Sequence, residues 1–137
     1  MTKIIEQGFT LVEIMITVAL IGIISTIAFV SYSGYILKAR RTEAVQTLLS
    51  MQLAEEQYRS ENATYGTIAQ VWNNVTTTEN GFYNLAISGN TATAYTLTAT
   101  AVGNQANDAQ DGTSCTALSL AVNNNTITKT PLVCWAN

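Results

Sequence analysis

The sequence predicts an α+β fold, with a long N-terminal α-helix packed on a four-stranded antiparallel β-sheet. Three features carry that expectation. Ile14 to Val30 holds only apolar and small residues. Good helix formers at helical spacing continue to Ser60, and the one proline of the chain is Pro131. Beyond Phe82 the apolar period shortens to that of a strand.

The N-terminal segment begins with a short polar stretch, Met1 to Gly8, in which Lys3 is the one basic side chain. From Phe9 to Leu37 the one formally charged side chain is Glu13. An apolar run of about 20 residues can cross a bilayer as a helix. A carboxylate inside such a run is costly unless something pairs with it. The segment reads as a secretory signal peptide, an ordinary signal anchor, or an anchor cut ahead of the run at Gly8. Glu13 fits a signal peptide badly, and no small-x-small cleavage site follows.

Past the run, Lys38, Arg40 and Arg41 read as a polar collar at the membrane edge. Leu37, Ala44, Leu48, Met51, Glu55 and Tyr58 then follow helical spacing, with Val45, Leu49 and Leu53 as a second stripe beside them. Glu55, Glu56 and Glu61 with Arg59 read as a solvated helix face. Asn62 to Gly66 is the helix exit. Asn62 to Glu79 is a connection, with Tyr65, Ile68, Val71 and Trp72 as anchors onto the helix.

Four strands are expected: Phe82 to Ile87, Ala92 to Val102, Thr116 to Val122 and Thr126 to Thr130. Gly89-Asn90 and Asn123-Asn124-Asn125 supply turns. Asn104 to Gly112 reads as a polar loop whose oxygens lack the spacing of a calcium loop. A lone meander leaves an apolar face open, and the long helix would cover it.

Composition narrows the function. The chain has 137 residues, a formal net charge of -3 and no histidine. It therefore lacks the commonest general base and metal ligand. No nucleophile elbow, phosphate-binding glycine loop or metal cluster is present, so no enzyme, no cofactor and no metal are expected. Beyond Ser60 the one basic side chain is Lys129, against Glu61, Glu79, Asp108 and Asp111. Phosphate contacts need more positive charge than that, which argues against nucleic acid. Cys115 and Cys134 cannot complete a zinc site alone. A disulfide fits an exported domain better than two separate buried thiols. Closing a loop of that size contributes about 3 kcal/mol by chain entropy.

Gly8-Phe9-Thr10-Leu11-Val12-Glu13 ahead of an apolar run resembles the N-terminal signature of type IV pilins, with the short leader and Phe of the type IVa class. Tyr95 to Thr100, Gln105, Asp108, Cys115, Leu118 to Leu120 and Cys134-Trp135 are similar to the C-terminal half of a pilin subset that includes minor pilins. The resemblance implies the pilin fold with a disulfide-bounded C-terminal region. It implies a leader over residues 1–8, a transmembrane or filament-core half-helix over 9–37, an amphipathic half-helix over 38–60 and a β-domain over 61–137. Gly8 would be the cleavage-site residue and Phe9 the new, methylated N-terminus. Glu13 would be the acid that pairs with the Phe9 amine of a neighbouring subunit. A mispaired offset would leave a charge in an apolar core, at several kcal/mol.

The chain departs from the family where many members have proline and it has Val30. Any helix opening would then fall to Gly22 and Gly34. The implied partners are other pilin subunits, a prepilin peptidase, an inner-membrane platform and an assembly ATPase. The implied route runs from a single pass of the inner membrane, C-terminal domain in the periplasm, to an extracellular pilus of a Gram-negative bacterium. Basic residues after the run favour the opposite orientation by charge; the resemblance and the disulfide favour this one. The implied role is a structural subunit, a minor pilin, supporting adhesion, twitching motility or DNA uptake. A pseudopilin of type II secretion and a pilus-associated DNA receptor are the alternatives.

Overall fold

The computed structural model describes residues 8–136, without the side chains at 27–31. The expected leader therefore lies outside the described residues except for Gly8, as does the side chain of Val30. Helix α1 spans Leu11–Glu61. It is shared by two compact units, one ending at Tyr35 and one beginning at Ile36.

The first unit is the N-terminal part of α1. Thr10 opens it, its hydroxyl oxygen accepting the Glu13 backbone N–H at 3.2 Å. That satisfies one of the donors a helix start leaves unpaired. The side chains from Leu11 to Ile24 stand open to the surroundings, and Leu11, Ile16 and Ile21 are each more than half exposed. Among the described residues no helix is long and apolar enough to cross a membrane. The described part of the apolar run stops at Thr26, short of the about 20 residues a bilayer requires.

The second unit builds a core. The rest of α1 is followed by α2 (Ile68–Val71), β1 (Tyr83–Ser88) and β2 (Ala94–Ala101). A 3-10 turn, Gly103–Asn107, leads to the short strands β3 (Ala109–Gln110) and β4 (Thr113–Ser114). Then come β5 (Ala117–Asn123), β6 (Thr126–Thr130) and a last 3-10 turn, Leu132–Trp135. The main sheet is antiparallel in the order β1-β2-β5-β6, and β3-β4 form a separate hairpin. Leu85 pairs with Ala99, Leu97 with Leu120, and Val122 with Ile127.

Alternation along β1, β2 and β5 sends Tyr83, Leu85, Tyr95, Leu97, Ala99, Leu118, Leu120 and Val122 to one face. They form one buried cluster with Ala44, Leu48 and Met51 of α1. The opposite face carries Thr96, Thr98, Ser119, Thr128 and their small neighbours, as period-2 geometry requires. On β6 Ile127 is half exposed, so the core ends at β5. Asn124 and Asn125 join β5 to β6 with both φ angles positive, 46° and 64°. Tight hairpin turns favour that conformation, and Asn tolerates it.

Four expectations change. Of the second stripe of α1, Val45 packs against the core, but Leu49 and Leu53 are exposed. Glu55 is fully buried rather than part of a solvated face. Arg41 is buried too, on the same stripe as Leu37, Ala44 and Leu48, and is no collar residue. The polar loop after β2 also contains paired backbone. Asp111 and Gly112 turn it at positive φ, and Ala109 pairs with Ser114. Strands of two residues are too short to show a period.

Candidate functional site

The site singled out by the sequence lies at the start of α1. Gly8 and Phe9 precede the helix in irregular backbone, and Phe9 is 80% exposed. Glu13 sits in the first helical turn, where the helix dipole favours an acid. Among the described residues its carboxylate has no hydrogen bond or ion pair. Phe9 and Glu13 are four apart, but in the uncut chain the Phe9 nitrogen is an amide and carries no charge. A cation at that place needs cleavage of the Gly8–Phe9 bond. The neighbours Leu11, Val12 and Ile14 are exposed and apolar. This end of the chain thus offers one carboxylate within a surface that water solvates poorly.

The second predicted feature is the cysteine pair. Cys115 and Cys134 form a disulfide and both are buried. It ties the strand-turn region after β4 to the last 3-10 turn. Beside it lies a polar cluster that sequence reasoning missed. The Arg41 guanidinium contacts Cys115 Sγ through Nη1 and donates from Nη2 to Gln110 Oε1 at 2.6 Å. Its Nε lies 3.4 Å from Asp108 Oδ2, with both side chains nearly inaccessible. Gln105 is buried alongside and donates to the Leu37 carbonyl and to Tyr83 Oη, each at 2.9 Å.

Burial pushes the Asp108 carboxyl up, and the Arg41 charge pulls part of the way back. Burial raises Tyr83 to about 12, eased by the Gln105 hydrogen bond. Asp108 thus faces the Arg41 guanidinium. Among the described residues no group of acids or cysteines could hold a metal ion.

The third cluster secures the helix exit. Buried Glu55 accepts the Gly66 N–H at 2.8 Å through Oε2. Asn90 donates to the Gly66 carbonyl and, at 3.4 Å, to Glu55 Oε1. Gly66 is required by close approach, since a Cβ there would meet Val71 and Tyr58. Burial raises the Glu55 carboxyl, against the Gly66 hydrogen bond. Glu56 accepts from Tyr95 Oη at 3.1 Å and from Tyr65 Oη at 3.3 Å. Burial first, then Glu56, push the Tyr95 hydroxyl far up. These acids tie the end of α1 to the segment after it and to β2. For Arg41 a signal existed, since it falls on the buried spacing of α1. Gln105 and Asp108 were marked by the resemblance of their loop to a pilin subset, but nothing in the sequence paired them with α1.

Comparison with known proteins separates the same two regions. Residues 5–29 match the prokaryotic N-terminal methylation motif. Residues 30–119 match the family described as type IV minor pilin ComP, DNA uptake sequence receptor. Among curated proteins, the chain is 34% identical over 65 residues to fimbrial protein EcpC of Eikenella corrodens, covering 47% of this chain and 42% of that one. It is 34% identical over 58 residues to a probable minor fimbrial protein of Dichelobacter nodosus, covering 42% and 36%. It is 31% identical over 65 residues to type II secretion system core protein G of Klebsiella pneumoniae, covering 47% and 46%. Each match spans less than half of the relative. The fimbrial relatives are structural proteins, not enzymes. With the methylation motif ahead of it and the minor pilin match running from α1 into β5, the chain belongs to the type IV minor pilin family.

Proposed function

We propose that this chain is a minor structural subunit of a type IV pilus, processed at Gly8–Phe9 and assembled through its N-terminal helix. The observation that carries the reading is Glu13. It is a carboxylate without a partner among the described residues, in the first turn of a helix whose surrounding side chains are apolar and exposed. Before assembly, lipid of the inner membrane covers those side chains. Afterwards neighbouring helices do, and the pilus stands at the cell surface. A prepilin peptidase cuts after Gly8 and methylates the new amine, which keeps its charge. Glu13 of one subunit then pairs with the Phe9 ammonium of the next and fixes their axial offset. An inner-membrane platform and an assembly ATPase drive the step.

Two measurements test this. Mass spectrometry of the mature protein is expected to show a chain starting at methylated Phe9; any other start overturns the processing. Glu13→Ala is expected to be cut normally and to lose at least tenfold in filament incorporation. Normal incorporation removes the pairing.

The family description motivates a second reading, contact with DNA. The cations of the second unit are largely committed. Arg41 is buried. Arg59 donates to the Ala92 and Asn62 carbonyls. Arg40 lies 4.3 Å from the Phe82 ring centre, and Lys129 lies 5.1 Å from that of Trp135. Lys129 with Trp135 is the pair best placed to combine a phosphate contact with base stacking. Filter binding across a salt series decides it. Salt-sensitive affinity that falls in Lys129→Ala supports the reading, and no retention at low salt rejects it.

A further inference from the structure

The segment between α2 and β1 arches away from α1 and leaves a cavity of about 630 Å³, lined from α1 by Thr47 and from the arch by residues including Trp72, Val75 and Glu79. That volume lies within the range of small-molecule sites, roughly 300–1,000 Å³. Its rim is held by backbone hydrogen bonds. Asn74 N–H donates to the Ile68 carbonyl, Val75 N–H to Trp72, and Thr78 N–H to Tyr83. Asn73 and Asn74 both take positive φ, 50° and 59°, to make the bend. The pocket is therefore formed without a ligand, which lowers the ordering cost of filling it.

Its chemistry is narrow. Trp72, packed on the core by part of its surface, is half-buried and Val75 half-exposed, so both add accessible apolar surface to the lining. Around it stand the Asn73 amide, the Thr77 hydroxyl and the Glu79 carboxylate, none with a hydrogen-bond partner among the described residues. Together they offer donors and acceptors at several points, as a polyol requires. No basic side chain lines the cavity, and Glu79 repels phosphate or sulfate. A peptide added as a strand finds little here. The Thr76 carbonyl already accepts from Leu85 N–H, and Thr77 already bridges Asn84 of β1.

We infer that this cavity binds a neutral sugar ring, its apolar face on Trp72 and its hydroxyls on Asn73, Thr77 and Glu79. Affinity of a single ring is millimolar, since so few groups engage it.

Saturation-transfer NMR on the full chain tests it. The chain is held in polyoxyethylene micelles, because sugar-headed detergents would compete. The probes are the methyl glycosides of glucose, galactose, mannose and their N-acetylated amino forms. Trp72 fluorescence in a Trp135→Phe background gives a second readout. At least one glycoside is expected to show saturable transfer and to shift that fluorescence. Glu79→Gln and Thr77→Val alter exposed side chains. Each is expected to weaken binding about three- to tenfold with an unchanged circular dichroism spectrum. No saturable transfer from any glycoside overturns the inference, as does binding that both variants retain in full. Quenching by a lysine-rich peptide but by no glycoside overturns it in favour of a cation site against Trp72 and Glu79.

Discussion

Two carboxylates of the same helix, Glu13 and Glu55, meet opposite circumstances. Glu13 is exposed among apolar side chains, with no partner among the described residues. Glu55 is fully buried, with partners supplied by Gly66 and Asn90. The second unit closes on itself: its buried Arg41 meets Asp108, and its apolar stripe meets a sheet. The first unit presents Ile16, Ile21 and Ile24 to its surroundings. A helix costs about the same to form in either place. The difference is that folding repays the cost in one region and association must repay it in the other.

Breaking the Arg41–Asp108 pair is the strongest test of that closure. Arg41→Met leaves a buried carboxylate uncompensated and is expected to cost about 3–5 kcal/mol. Urea unfolding of the full chain, followed by tryptophan fluorescence, measures it. Adding Asp108→Leu is expected to recover most of the loss. A double variant as unstable as the single one shows that the charge pair is not the cause.

Truncation compares the two regions directly. Leu97→Ala, at a fully buried position, is expected to cost about 2–5 kcal/mol. Ile16→Ala, at a position 55% exposed, is expected to stay within about 0.5 kcal/mol in the same assay while lowering filament yield. A large unfolding effect at Ile16 would make the first unit part of the second unit's cooperative fold.

Replacing both Cys115 and Cys134 by serine is expected to cost about 3 kcal/mol, read from the same urea curves. A loss below about 1 kcal/mol would assign the region's order to Arg41 and Gln105 instead.

The smallest effect separates the acids by pH. Burial holds Glu55 above its ordinary value. Its ionised form is therefore a cost at neutral pH, and that cost lapses as pH falls through the raised folded value toward the unfolded one. Glu43 runs the other way. Burial pushes it up, but hydrogen bonds from Asn80 outweigh this and leave it below 4.5. Its contribution is present above about 4.5 and lost as pH falls through the depressed value. Glu55→Gln is expected to change stability relative to the parent most at pH 7, with the gap narrowing on acidification. A gap independent of pH removes ionisation as its cause.

The helix, the four main strands and the processing motif were legible because each rests on local order: spacing, alternation or a contiguous signature. β6 has the predicted bounds, and β1, β2 and β5 lie within a few residues of theirs. Illegible features depend on partners distant in sequence. Nothing near Arg41 announces Asp108, and a basic residue following an apolar run reads as interfacial by default. Leu49 and Leu53 look like core because a stripe records apolar character, not whether a sheet arrives to meet it. The β3–β4 hairpin is hidden for a third reason, since two-residue strands have no alternation.

Gln105 and Asp108 of one loop meet the same short span of α1, at Leu37 and Arg41. The loop carrying Gln105 and Asp108 reads the Leu37 carbonyl with an amide and Arg41 with a carboxylate. It gauges the helix to within one residue. Sliding α1 by a single position would rotate Arg41 about 100° from the loop and strand a charge and an amide together. A length of chain made late in synthesis thus inspects one made early, at a point where Arg41 also touches the Cys115 sulfur of the disulfide.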